Sequence, residues 1–224
     1  MAAIGKVSVI ITNYNRASMV GRAIRSCLDQ AIPHRDLEVI VVDDGSDDGS
    51  QEYLRMFGDR VVLVLHDRNL GVAQASNSGL ARASGRYVMR VDSDDYLNRY
   101  AVHTLAGILD ENPEIDFAYC DLLKVDAEGF PLVRIDRGDP ENLFDYGAGI
   151  LFRREVIERA GGYDPSLPNS EDYDLLLQVC RKHKGFHLPL AYYRYYMHGD
   201  NLSQNGLREK YKQMVNERHG IHNR

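Results

Sequence analysis

The sequence has few of the features of disulfide-bonded, membrane-spanning or nucleic-acid-binding proteins. Its three cysteines, Cys27, Cys120 and Cys180, are far apart without metal-ligand spacing, so we expect buried free thiols in a reducing compartment. No apolar run reaches the length of a membrane span, and too few residues precede the first predicted strand for a signal peptide. The net charge of -6 argues against a nucleic-acid partner. We therefore expect a cytoplasmic protein, with peripheral contact at the inner face of the membrane left open.

The first half of the chain alternates predicted strands with predicted helices. Nearly continuous β-branched apolar runs indicate strands that are buried on both faces. Alternation of this kind predicts a parallel sheet with right-handed crossovers. Asn15 is the expected N-cap of the first helix. The strands are expected at Val7–Thr12, Leu37–Val42, Val61–Leu65 and Tyr87–Val91.

The pattern changes after Pro113, where a strand over 115–120 precedes a hairpin with its turn at 126–129. Without a linker or repeat, the second half is expected to complete the first. We expect residues 1–112 and 113–205 to form two halves of a single domain, and residues 206–224 to form a polar helical tail.

An acidic loop follows the fourth predicted strand. Asp92, Asp94 and Asp95 place three carboxylates within four residues, and these repel one another unless a cation or a proton compensates them. The loop also lies at the carboxyl end of a strand, where open α/β sheets bind ligands. The residues alone leave two interpretations open, a divalent metal site and a solvated acidic turn.

Two other loops end predicted parallel strands at the same edge of the sheet. Thr12 and Tyr14 follow the first strand, and Asp43 and Asp44 follow the second. Because these loops and the acidic loop share one edge, we expect their side chains to converge on a single crevice.

Five segments in order resemble glycosyltransferase family 2, the inverting enzymes of the GT-A type that use nucleotide sugars. They read VSVIITNYNR, EVIVVDDGSDDGS, RNLGVAQASNSGLARASGRYVMRVDSDDYL, GGYDPSLPNSEDYDLLLQV and YRYYMHGDNLS. The resemblance implies a Rossmann-like three-layer α/β/α sandwich, with a mostly parallel central sheet and a smaller mixed sheet on the acceptor side.

The resemblance also implies how the donor is bound. The ring of Tyr14 would lie against the base, and Asp44 would accept a hydrogen bond from a uracil-like N–H while Asp43 orients the loop. The helix that begins near Asn69 would present its N-terminus to the diphosphate, although a simple helix cap remains an alternative. The implied nucleotide-sugar residues are Thr12, Tyr14, Arg16, Asp43, Asp44, Asn69, Gly71, Asn77, Asp92 and Ser93.

The metal and the general base are implied in the same way. Asp94 would ligate Mn²⁺ or Mg²⁺, with Asp92 on the ribose or in the metal's outer shell and His198 as a further ligand. Asp95 has no role there and is expected to cap the following helix. Asp172 would remove the proton of the acceptor hydroxyl, and Glu171, assigned with it to the catalytic pair, would orient a neighbour or the acceptor.

The expected activity is transfer of a sugar from a nucleoside-diphosphate sugar, UDP-linked for preference, to a hydroxyl of a glycan or lipid-linked acceptor. The resemblance, which extends from Val7 to about Ser203, makes residues 1–112 the nucleotide-sugar-binding half and residues 113–205 the acceptor-binding and catalytic-base half. Acceptor recognition is expected between residues 121 and 170. A non-catalytic nucleotide-sugar-binding subunit remains an alternative. A nucleotidyltransferase is a weaker one, because no Gly-rich, Lys-containing phosphate loop occurs near the N-terminus. The sugar and the oligomeric state are not indicated.

Overall fold

The computed structural model describes residues 5–199, 201 and 207–221. Ser203 lies outside these residues. The strands are β1 (Val7–Asn13), β2 (Leu37–Asp43), β3 (Val62–Leu65), β4 (Tyr87–Asp92), β5 (Tyr96–Leu97), β6 (Phe117–Val125), β7 (Pro131–Ile135), β8 (Ile150–Arg153) and β9 (Gly185–Tyr196). The helices are α1 (Ala17–Leu28), α2 (Ser50–Arg55), α3 (Val72–Arg82), α4 (Ala101–Glu111), α5 (Pro140–Asp145), α6 (Arg154–Ala160), α7 (Glu171–Cys180) and α8 (Leu207–Arg218).

The strands form one mixed sheet in the order β3-β2-β1-β4-β8-β6-β9-β5, with β7 paired to β6. Strands β3, β2, β1 and β4 are parallel, as the alternating pattern predicts. Strand β8 then pairs antiparallel with both β4 and β6. The mixed acceptor-side part is therefore continuous with the parallel part rather than a separate sheet.

Helices cover both faces of the sheet, which confirms the three-layer α/β/α sandwich. On one face, the buried side chains of α1 and α4 pack against β1, β2 and β4. On the other face, α3, α6 and α7 pack in a second cluster. Strands that are covered on both faces explain the nearly uninterrupted apolar runs in the sequence.

The register places the ends of the central strands side by side. Asn13 at the end of β1 is level with Asp43 of β2, and Thr12 is level with Asp92 of β4. The loops that follow these strands therefore leave the sheet at one edge, where they build the site described below.

Two local expectations are wrong. Helix α1 begins at Ala17, and the Asp48 carboxylate accepts the hydrogen bond of its first N–H (2.9 Å). Asn15 is therefore not the N-cap, and it adopts a positive φ of 50° instead. Asp95 does not cap a helix, since its Oδ1 accepts a hydrogen bond from the backbone N–H of Tyr196 (2.9 Å).

Helix α8 packs against the domain. Val215 is fully buried in a cluster with Leu167 and Leu177. His219, just after the helix, lies 2.8 Å from the Asp174 carboxylate of α7. Among the described helices, none combines the length and apolar character needed to cross a membrane.

Candidate active site

A cavity of about 670 Å³ opens where the loops leave the sheet. Its walls include the predicted donor, metal and base residues Thr12, Tyr14, Arg16, Asp44, Asn69, Gly71, Asp92, Ser93, Asp94, Glu171 and Asp172. The structure therefore brings together residues that are up to 160 positions apart in the chain, between Thr12 and Asp172. Three predicted residues, Asp43, Asn77 and His198, do not line this cavity.

The two aspartates after β2 have different surroundings. Asp43 is fully buried, and its carboxylate accepts hydrogen bonds from Asn13 Nδ2 (2.8 Å) and from the N–H and hydroxyl of Ser46. It therefore holds the loop backbone. Asp44 lines the cavity, which is the division of roles that the resemblance implies, although contact of Asp44 with a nucleobase stays a prediction.

The Asp44 carboxylate also organises the entry to α3. It accepts hydrogen bonds from the backbone N–H groups of Leu70 (2.9 Å) and Gly71 (2.8 Å). His66 Nδ1 lies 2.6 Å from its Oδ1, and His66 Nε2 lies 2.9 Å from the Ser78 hydroxyl. His66 is not among the predicted site residues, because no motif marks it and only the pairing of β2 with β3 places it beside Asp44.

The structure does not bring Asn77 to the cavity. Its Nδ2 donates to the carbonyl oxygen of Tyr163 (2.7 Å), and its Oδ1 accepts from the Tyr163 N–H (2.9 Å). Asn77 therefore ties α3 to the turn after α6, and a direct contact with a nucleotide sugar is not supported.

Two of the three expected metal ligands, Asp94 and His198, lie next to each other. His198 Nε2 lies 2.9 Å from Asp94 Oδ2, so these two residues meet although 104 positions separate them. Asp92 instead faces Arg90, with Nε 3.4 Å from Asp92 Oδ1. Among the described residues, the ligand atoms of Asp92, Asp94 and His198 do not all lie within 4.8 Å of one another, so the three expected ligands do not converge on one point.

Charge crowding in this loop favours a cation. Burial raises the pKa of Asp95 well above its ordinary value, and the nearby Asp94 and Asp92 carboxylates add to the rise. Desolvation also raises the pKa of Asp92, although Arg90 opposes that rise. A divalent cation at Asp94 and His198 would offset this repulsion, and a carboxylate with an imidazole is a donor set that fits such an ion when a substrate phosphate supplies further oxygens.

Arg22 of α1 contacts the acidic loop, and it is not among the predicted site residues. Its Nη2 donates to the carbonyl oxygen of Asp94 (3.1 Å). Its guanidinium lies 4.5 Å from the ring centre of Tyr96 and 4.6 Å from that of Tyr196. The rings of Tyr196 and His198 are 5.2 Å apart, so one stack links α1, the acidic loop and the segment after β9.

Another group of possible ligands lies away from the cavity. Among the described residues, Asp121, Asp136 and His187 are the group whose ligand atoms all lie within 4.8 Å of one another. However, Asp121 already accepts hydrogen bonds from the Arg134 guanidinium and the backbone N–H of Arg137 (3.0 Å), and it lies 2.6 Å from His187 Nε2. A carboxylate that is paired with arginine is a poor cation ligand, so this cluster is better explained as a structural network.

Asp172 is the second residue of α7, and it lines the cavity. Its Oδ1 accepts the N–H of Tyr173 (2.8 Å), and its Oδ2 accepts the N–H of Gly147 (3.2 Å). A Cβ at position 147 would come within 2.3 Å of the Asp172 Cβ. Glycine at 147 therefore lets the chain approach closely enough to orient this carboxylate.

Glu171 is occupied by an ion pair. Arg90 Nη1 donates to its Oε1 at 2.7 Å, and both side chains are buried. Glu171 is expected to orient a neighbour or the acceptor, and the neighbour that its carboxylate binds is Arg90, while its membership of the catalytic pair stays a prediction. Arg90 joins the strand before the acidic loop to the helix of the predicted base. This role is not predictable from the sequence, because Arg90 lies within the buried strand β4.

Backbone strain is concentrated at the cavity. Among the described residues, Asn15 (φ 50°) and Ser170 (φ 79°) are the residues other than glycine with positive φ. Asn15 lines the cavity, and Ser170 immediately precedes Glu171. Such conformations cost about 1–3 kcal/mol each and are common at functional sites.

A scan of protein-family models matches residues 8–161 to "Glycosyl transferase family 2". The chain is 30% identical to a chondroitin synthase of Pasteurella multocida over 90% of this chain and 22% of that protein. It is 31% identical to a hyaluronan synthase of Pasteurella multocida, over 88% of this chain and 21% of that protein. The chain thus spans about a fifth of the length of these two synthases.

A shorter relative matches over most of its own length. This is an Escherichia coli protein named UDP-Glc:alpha-D-GlcNAc-diphosphoundecaprenol beta-1,3-glucosyltransferase WfaP, which is 28% identical over 92% of this chain and 83% of the relative. The chain therefore corresponds to most of one relative and to a segment of the two synthases.

Two solved structures share the fold. S. aureus TarS 1-349 in complex with UDP-GlcNAc superposes with a TM-score of 0.78 at 20% identity, covering 94% of this chain and 65% of that chain. Mannosyltransferase PcManGT from Pyrobaculum calidifontis in complex with GDP-Man and Mn²⁺ gives a TM-score of 0.75 at 20% identity, covering 100% of this chain and 66% of that chain. At this identity the likeness establishes the GT-A type fold alone.

Proposed function

The chain belongs to glycosyltransferase family 2, and we propose that it transfers a sugar, with inversion, from a nucleoside-diphosphate sugar to a hydroxyl group of a glycan or a lipid-linked acceptor. The observation that carries the proposal is that Asp44, Asp94 and Asp172 line one cavity. A donor-side carboxylate, a cation ligand and a base are the groups that this reaction needs within reach of one another.

The donor is proposed to be UDP-linked. The TarS neighbour was solved with UDP-GlcNAc, and the name of WfaP specifies UDP-Glc. The donor-binding residues are proposed to be those on the loops after β1, β2, β3 and β4, including Asn69 and Gly71, with Asn77 removed from the set. Residues 1–112 would form the donor half, residues 113–205 the acceptor half, and the tail would contribute through α8.

The cation is proposed to be Mn²⁺ or Mg²⁺, held by Asp94 with His198. When bound, such an ion compensates negative charge on the diphosphate. The PcManGT structure holds Mn²⁺ together with GDP-Man, which supports the assignment by fold.

Asp172 is proposed to take the proton of the acceptor hydroxyl. The acceptor oxygen then forms its bond to the anomeric carbon while the bond from that carbon to the diphosphate oxygen breaks. The nucleoside diphosphate leaves with the electron pair of the broken bond, and the configuration inverts because attack and departure occur on opposite faces. The Gly147 N–H and the Arg90–Glu171 pair position Asp172 for this step.

The decisive experiment compares Asp172→Asn with the wild type in a screen of UDP- and GDP-sugars with simple glycoside acceptors. We expect turnover to fall by about 10²–10⁴-fold, the usual contribution of a general base, while UDP affinity stays unchanged. Transfer by the variant at the wild-type rate would exclude this base assignment. UDP binding by the wild type without transfer to any acceptor would instead identify a nucleotide-sugar-binding subunit.

A further inference from the structure

The wall of the cavity beside Asp172 carries an arginine outside the predicted motifs. Arg208 lies in the first turn of α8, and its side chain is 13% exposed. Its Nη2 is 3.9 Å from Asp172 Oδ2, beyond hydrogen-bond distance. The same nitrogen donates to the backbone carbonyl of Asp145 at 2.6 Å. Arg208 therefore lies next to the predicted base without forming a hydrogen bond to it.

Most of the hydrogen-bonding capacity of Arg208 is unused. Within the described part of the chain, Nε and Nη1 of Arg208 have no hydrogen-bond partner. The charge of Arg208 is not needed by the Asp145 carboxylate, which is paired with Lys212. Arg90, the other arginine near the base, is engaged at 2.7 Å by Glu171. Of these two guanidinium groups, Arg208 is the one with donors available to a ligand in the cavity.

Arg208 belongs to α8, which packs against α7 and the segment before it. The hydroxyl of Ser170, which precedes α7, donates to the backbone carbonyl of Arg208 (3.3 Å). Further along α8, Val215 is fully buried, and the Tyr173 hydroxyl bonds Asn216 Oδ1 at 2.6 Å. The contacts between α7 and α8 thus fix the positions of Asp172 and Arg208 relative to each other.

Charge balance in the proposed reaction indicates what Arg208 binds. Asp172 is its nearest counter-charge among the described residues, and that charge disappears when Asp172 takes the acceptor proton. Loss of the nearest counter-charge from a largely buried guanidinium is costly even though Asp92 also acts on Arg208, so an additional anion beside Arg208 is favoured at that stage. The planar fork of arginine matches carboxylate and phosphate groups in geometry.

We propose that Arg208 binds an anionic group, a carboxylate or a phosphate, on the acceptor beside the hydroxyl that Asp172 deprotonates. This inference rests on the proposed function and narrows it to acidic or phosphorylated acceptors. Arg208 bonds the carbonyl oxygen of Asp145 and lies 3.9 Å from the predicted base Asp172, so its nearest contacts favour the acceptor over the donor diphosphate.

Matched pairs of neutral and anionic probes test the proposal. Methyl β-D-glucuronide is compared with methyl β-D-glucoside, and N-acetylglucosamine 1-phosphate with N-acetylglucosamine, by calorimetric titration of the full chain with and without UDP and Mn²⁺. We expect the wild type to bind the anionic member of one pair about 10- to 100-fold more tightly, as a charge-assisted hydrogen bond provides. The pair that responds distinguishes a carboxylate from a phosphate.

Variants assign that preference to Arg208. Arg208→Gln should bind both members of the pair equally, whereas Arg208→Lys should retain part of the preference because it keeps the charge. Arg218→Gln is the matched control, since Arg218 lies on the same helix but is 46% exposed and pairs with Asp164. It should behave as the wild type, and thermal unfolding of all variants verifies that α8 remains docked.

Three results would overturn the proposal. They are a wild type without preference in either pair, an Arg208→Gln variant that keeps the preference, and a variant that loses UDP affinity instead, which would assign Arg208 to the donor diphosphate. If UDP fails to bind even the wild type, the proposed function is wrong, but the titrations without UDP still decide whether Arg208 binds an anion.

Discussion

Arg90→Met would leave a buried carboxylate without its partner. Arg90 and Glu171 are 7% and 4% exposed, and their charged atoms are 2.7 Å apart. Methionine preserves much of the apolar packing of the arginine stem but removes the charge. Because removing one member of a buried ion pair leaves an uncompensated charge, we expect the free energy of unfolding to fall by about 3–5 kcal/mol.

The loss should depend on pH. Burial and the neighbouring Asp172 carboxylate raise the pKa of Glu171, and Arg90 lowers it. Without Arg90 the raising influences are opposed only by a backbone hydrogen bond, so the pKa of Glu171 in the folded state moves further above the unfolded value. The folded state then binds more protons than the unfolded state, and the free energy of unfolding falls as pH rises from about 4.3 towards neutrality.

The assay is urea unfolding followed by circular dichroism. It is carried out at about pH 5 and about pH 7.5, because most of the expected fall in the free energy of unfolding lies between these values. Glu171→Gln and the double variant complete a mutant cycle, and the double variant should recover part of the lost stability. Arg86→Met is the control, because the Arg86–Asp110 pair has a 59% exposed arginine, and its loss should cost less than about 1 kcal/mol. A double variant as unstable as Arg90→Met, or equal losses from Arg90→Met and Arg86→Met, would refute this reasoning.

Three further perturbations test the site. Gly147→Ala places a Cβ within 2.3 Å of the Cβ of the predicted base, so turnover should fall by about 10²-fold while UDP affinity is retained. Gly107→Ala is the control, because nothing lies within 4 Å of a Cβ at that position, and it should leave turnover unchanged. Asp94→Ala should abolish Mn²⁺-dependent UDP binding in calorimetry and His198→Gln should weaken it, and unchanged affinity in both would exclude this metal site. Ser170→Gly should have a free energy of unfolding about 1 kcal/mol higher than that of Ser170→Ala, because glycine adopts a positive φ without strain. Equal urea midpoints for the two variants would mean that position 170 is unstrained.

The parallel half of the fold could be predicted from the sequence because its signal is local. Each of the strands β1, β2 and β4 is an apolar run covered on both faces, and each ends in a polar loop. The convergence of Thr12, Asp44 and Asp94 follows from parallel pairing alone. The same local patterns could not reveal that Asn77 bonds Tyr163, since that contact joins residues 86 positions apart.

The charged partners of the site were not predictable. Arg90 lies within a buried strand and Arg208 within a polar tail, and neither has a spacing that indicates an ion pair or a cavity wall. Nor could the sequence show that Asp92 pairs with Arg90 instead of joining Asp94 and His198. Such pairings depend on the direction of long side chains, which periodicity does not describe.

The sequence by itself therefore determined the layered α/β architecture, the family resemblance and the set of acidic residues at the sheet edge, because hydrophobic periodicity and short motifs are local properties of the chain. Tertiary structure alone decided which acids are available for chemistry. It paired Glu171 with Arg90, buried Asp43 among loop donors, and left Asp172 beside Gly147 and Arg208. The physical reason is that the state of a carboxylate depends on its burial and on the charges around it, which come from distant parts of the chain.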